Sequence, residues 1–80
     1  MLFSERVKVL RKKSFLTQEA FAKEIGVVSA TVNRWETGKA KPNMSAMKAI
    51  KAFCEKNNYP YSLIEEEWLN YEKDLTIRGR

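Results

Sequence analysis

The sequence predicts an all-α fold of four to five helices. Apolar residues recur at helical spacing in one segment after another. No stretch alternates apolar and polar residues around a turn dipeptide, as a β-hairpin requires. Gly26 and Gly38 each follow such a stripe, at the place where a left-handed residue ends a helix.

The first helix is expected from about Ser4 to Lys13. Ser4 is a good N-cap, and Glu5 suits the positive end of the helix dipole. Phe3, Val7, Leu10 and Val9 supply the apolar stripe. The second helix begins behind Thr17, a capping residue, and buries Phe21, Ala22 and Ile25 before Gly26 stops it. Glu19 and Lys23 pair at i,i+4 in the better orientation. The third helix starts almost at once and covers about Val28 to Thr37, with Gly38 and then Pro42 beyond its end. Two helices joined by so short a glycine turn form a helix-turn-helix unit. A fourth helix follows Asn43, its cap, and carries Met44, Met47, Ile50, Phe53 and Cys54 inward. Asn57 to Pro60 is a turn. A fifth helix, about Ser62 to Asp74, aligns Ile64, Trp68, Tyr71 and Leu75. Residues 1–75 are thus expected to form one domain, with 76–80 a frayed tail. Trp68 and Tyr71 either close the core or meet a second copy of the chain.

Composition narrows the chemistry. Eighty residues hold one modest core and no deep cleft. Histidine is absent and Cys54 is the single cysteine, which excludes zinc fingers and the Ser-His-Asp and Cys-His arrangements. No catalytic residue, metal or cofactor is expected, and the chain is not expected to be an enzyme. A lone cysteine fits a reducing cytoplasm. No apolar stretch at the N-terminus suits a signal peptide, and no run approaches the roughly 20 apolar residues that span a bilayer. A cytoplasmic location with no membrane partner follows as the expectation.

The net charge of +5 suggests a polyanionic partner, and its distribution says more. Residues 1–56 carry 12 Lys and Arg against 5 Asp and Glu, and residues 57–80 carry 3 against 5. On a helical wheel for residues 28–37, Val28, Thr31, Val32 and Trp35 share a mostly apolar face. Ser29, Ala30, Asn33, Arg34 and Thr37 spread over the other. That outer face suits a major groove. Ser29 and Ala30 let the backbone approach base edges, Asn33 has the donor and acceptor that match adenine, and Arg34 the two donors that match guanine. Taken alone, this pattern also describes an ordinary surface helix with its polar side outward.

The stretch Leu16–Pro42, LTQEAFAKEIGVVSATVNRWETGKAKP, resembles the phage-repressor and Cro type of helix-turn-helix domain, also called the lambda-repressor-like or xenobiotic-response-element family. The carriers are T-Q-E opening the second helix, F-A two residues on, I-G-V at the turn, and R-W-E-x-G-K-x-K-P closing the third. Their joint spacing is the specific feature, and the likeness covers about residues 3–56. It implies a compact lambda-repressor-like bundle that binds double-stranded DNA as a homodimer. By position, Ser29, Ala30 and Arg34, with Asn33 beside them, would read bases. Thr17, Gln18, Thr31, Thr37, Lys39, Lys41 and Asn43 would meet the DNA backbone, with Gln18 also placed to brace a side chain of the third helix. Arg11 and Glu36 stand where the family carries an internal ion pair. One departure stands out: where the family places a small capping hydroxyl, this chain has Val28. Either Ser29 caps the third helix, or Val28 is buried. The functional expectation is a sequence-specific transcriptional regulator, a repressor. The alternatives are an antitoxin whose C-terminal helix holds a protein partner, and the DNA-targeting domain of a longer DNA-modifying protein.

Overall fold

Helix α1 (Phe3–Lys13) begins two residues earlier than its capping chemistry suggests. Leu2, not Ser4, takes the cap position, and the Glu5 carboxylate reaches back to accept the Leu2 N–H at 2.7 Å. The reason is tertiary. Phe3 is buried and meets Tyr71 edge-on, with ring centroids 6.3 Å apart, so the first turn is drawn into the core.

The computed structural model describes the backbone of residues 1–78 and the side chains through Tyr71. Four further helices follow: α2 (Gln18–Ile25), α3 (Ser29–Glu36), α4 (Met44–Lys56) and α5 (Tyr61–Arg78). No strand occurs among the described residues. Thr17 caps α2 by accepting the Ala20 N–H, and Asn43 caps α4 by accepting the Ala46 N–H. Gly26 and Gly38 both take positive φ, at 90° and 76°. That conformation is cheap for glycine and lets the Val27 and Lys39 amides fold back onto Ala22 and Arg34 carbonyls.

One core joins all five helices: Phe3, Val7 and Leu10 from α1, Phe21, Ala22 and Ile25 from α2, Val32 and Trp35 from α3, Met47, Ile50, Phe53 and Cys54 from α4, and Ile64 from α5. Phe21 and Phe53 pack edge to face at 5.2 Å. Cys54 is buried, and burial, with Glu55 nearby, pushes its thiol up to about 11.

Three expectations are corrected. Val28 is not buried, and Ser29 is not the cap but the first residue of α3. Val28 is itself the N-cap of α3, extended, 67% exposed and without a side-chain cap bond. Helix α3 is correspondingly shorter at both ends than residues 28–37, because Thr37 is its C-cap. Helix α5 starts at Tyr61 and continues to Arg78, one residue earlier and four later than the expected bounds. The side chain of Leu75, the last of the expected stripe, lies outside the described residues, as do Gly79 and Arg80 altogether.

Candidate nucleic-acid interface

The interface is built on a buried carboxylate. Glu36 ends α3, and its side chain is 2% exposed. Arg11 of α1 grips it with two hydrogen bonds, Nε to Oε2 at 2.7 Å and Nη2 to Oε1 at 3.0 Å. The third arm of the guanidinium, Nη1, donates to the Leu16 carbonyl at 2.9 Å, just ahead of α2. The hydrogen bonds to Glu36 raise the Arg11 pKa, outweighing the lowering effect of its burial. Arg11 is therefore structural, and it fixes α1, the α1–α2 turn and the end of α3 together.

Gln18 extends the network to the surface. Its Nε2 donates to Glu36 Oε1 at 3.1 Å, and its Oε1 accepts from Asn33 Nδ2 at 3.4 Å. A chain of side chains thus runs from a buried ion pair to the exposed Asn33 amide. The N-terminus of α2 and the outer face of α3 are held in one register by it. The structure gives Gln18 the bracing position toward α3 that the family likeness implies.

Around that anchor, Ser29, Ala30, Asn33 and Arg34 are all exposed on α3. The core side of the same helix is Val32 and Trp35, at 0% and 3% exposure. None of the four outer residues is spent on packing. Ser29 and Ala30 form the first turn, and Arg34 lies one turn further on with Asn33.

The residues expected at the DNA backbone divide into three groups. Thr17 and Gln18 stand at the start of α2, where the free helical amides favour an anion. The Thr17 Oγ1 already accepts a backbone amide, which leaves its hydroxyl hydrogen to donate. Thr37 is exposed, and its hydroxyl donates to the Asn33 carbonyl at 2.9 Å, closing the end of α3 next to the exposed Lys39. Thr31, Lys41 and Asn43 line one shallow groove with Val27, Trp35 and Ser45. Asn43, like Thr17, caps its helix through one atom and keeps its Nδ2 donors outward of that bond.

Sequence reasoning missed what holds the loop between α3 and α4. Helix α5 reaches it with two aromatic donors. Trp68 Nε1 donates to the Pro42 carbonyl at 2.7 Å, and the Tyr71 hydroxyl to the Gly38 carbonyl at 3.0 Å. The Lys41 ammonium sits 4.4 Å from the Trp68 ring centroid and 5.8 Å from that of Tyr71. The one signal in the sequence is that an indole N–H in a small domain needs an acceptor.

The helix-turn-helix family model matches residues 7–57. The chain is also 34% identical, over 96% of its length, to an HTH-type transcriptional activator, BcrR, of Enterococcus faecalis. It spans about a third (34%) of the length of that curated relative. No solved structure matches the chain significantly.

Proposed function

The chain belongs to the helix-turn-helix family of DNA-binding regulators, and from that premise we propose that it is a sequence-specific transcriptional regulator that reads the major groove with α3. The observation that carries this reading is the hydrogen-bonded chain Arg11–Glu36–Gln18–Asn33. It fixes the outer face of α3 against the start of α2 while leaving Ser29, Ala30 and Arg34 outward. A helix whose polar face is braced but unused in packing is preorganised for a ligand.

The roles follow from chemistry. Arg34 pairs with the two acceptors of guanine, Asn33 with adenine, and Ser29 and Ala30 admit the backbone to the groove, with Ala30 against a thymine methyl. Thr17, Gln18, Thr31, Thr37, Lys39, Lys41 and Asn43 hold phosphates and set the register. A homodimer presents two such helices to half-sites about 34 Å apart. Its direction of control is repression, through occupancy of the DNA its α3 helices cover. The Enterococcus relative is named as an activator, so a reporter assay with the binding site moved across the promoter decides the direction. Among the described residues no helix is long and apolar enough to cross a membrane.

Gel-shift titration against selected and scrambled duplexes tests the reading. It requires tighter binding to the selected duplex and a steep loss of affinity with salt. Equal binding to both duplexes removes sequence reading from the account.

A further inference from the structure

We infer that Phe15, in the turn between α1 and α2, is a DNA-contact residue that lays its ring on the sugar edge of the backbone, beside the half-site that α3 reads. This contact presupposes the DNA-binding reading above and adds to it a residue that neither the base-reading nor the phosphate-holding set contains.

Among the described residues four take positive φ: Phe15 at 59°, Gly26 at 90°, Gly38 at 76° and Asn58 at 56°. Each follows a helix, and each lets the next amide fold back onto a carbonyl near the helix end: Leu16 onto Arg11, Val27 onto Ala22, Lys39 onto Arg34 and Tyr59 onto Cys54. Glycine and asparagine are the residues this left-handed stop favours, and a bulky aromatic there costs backbone free energy. Phe15 recovers none of that cost in the core, since it is 95% exposed. A single exposed apolar side chain is ordinary, but one that also strains its backbone points to a use outside the fold. Its position says which use. Arg11 Nη1 holds the Leu16 carbonyl, and the same guanidinium holds Glu36, which also accepts from Gln18. The turn that carries Phe15 is thus fixed in register with the start of α2 and with α3, just ahead of Thr17. Lys12 and Lys13 beside it are exposed. An aromatic ring among cations suits a polyanion and disfavours a second copy of the same basic turn. Between its phosphates the DNA backbone offers apolar surface at the deoxyribose carbons, which is what a phenyl ring without a polar atom can cover.

The test compares Phe15→Asn and Phe15→Leu with wild type in the full chain. Thermal melts give Tm, titrations of specific and scrambled duplexes across salt concentrations give Kd, and hydroxyl-radical footprinting reports sugar exposure. Phe15→Asn is expected to raise Tm by about 2–6 °C, through relief of the left-handed backbone. The same substitution weakens both duplexes by about three- to tenfold, the share of a partly buried ring. Its salt slope stays that of wild type, because no phosphate contact is lost. A sugar that wild type protects in each half-site becomes open to cleavage. Phe15→Leu keeps an apolar group, and with it most of the affinity and a Tm near that of wild type. A wild-type Kd for Phe15→Asn, a Tm below wild type, a salt slope flattened by about 0.9 (the share of one phosphate) or an unchanged footprint overturns the inference alone. A wild-type chain that binds neither duplex overturns the DNA-binding reading and the inference with it.

Discussion

Glu36 and Arg11, 25 residues apart in the chain, meet through two hydrogen bonds in which the carboxylate is 2% and the arginine side chain 12% exposed. Removing one partner strands a charge in the interior, which costs far more than the pair itself contributes. Glu36→Ala is expected to lose about 3 kcal/mol or more of unfolding free energy, a large share of the total for so small a domain. Urea denaturation measures it. A loss no larger than that of an exposed pair, about 1 kcal/mol or less, contradicts the structural role.

Arg34→Ala separates reading from folding. Arg34 is exposed and holds no core contact. Its loss is expected to cost about 1–3 kcal/mol on the specific site and to relax preference at one base position. Lys39→Ala, also at an exposed side chain, weakens all sequences alike and lowers the salt slope by about 1. Titrations on matched and single-substituted duplexes distinguish the two patterns.

Val28 offers a gain. It caps α3 without an acceptor and is 67% exposed, so little packing is lost on replacing it. Val28→Ser supplies the missing acceptor for a first-turn amide and is expected to add about 1 kcal/mol. A Tm equal to or below wild type refutes the assignment of Val28 to the cap.

The start of α3 is also where the sequence was hardest to read. A helical wheel treats Val28 as helical and puts it beside Val32 and Trp35. Its actual backbone is extended, at φ −88° and ψ 157°, so the wheel does not apply to it. The other boundaries were legible because their chemistry is local. Thr17, Asn43, Gly26 and Gly38 each act within four residues of themselves. The early start of α1 was not, since burial of Phe3 under Tyr71 outweighs the capping preference of Ser4. The outer residues of α3 were identifiable by type and spacing. The clamp of Trp68 and Tyr71 on the α3–α4 loop was not, because it joins residues 26 and 33 apart.

Cys54 is buried, and its thiol is pushed up to about 11 from 9.0. The folded state therefore keeps this proton more tightly than the unfolded chain. The associated stability is complete below pH 9 and declines as pH rises from 9 toward 11. Alkylation by iodoacetamide is expected to stay slow in the native protein from pH 7 to 10 and to become fast in urea. Rapid native-state labelling that climbs through pH 9 contradicts the burial.

The proposed function depends on base reading by the outer face of α3. Selection of bound duplexes from a random pool, run in parallel with the wild-type chain and Arg34→Ala, tests it most directly. The expected result is a palindromic consensus for the wild type and loss of one position in each half-site for the variant. An absence of enrichment, or the same consensus from both proteins, contradicts it.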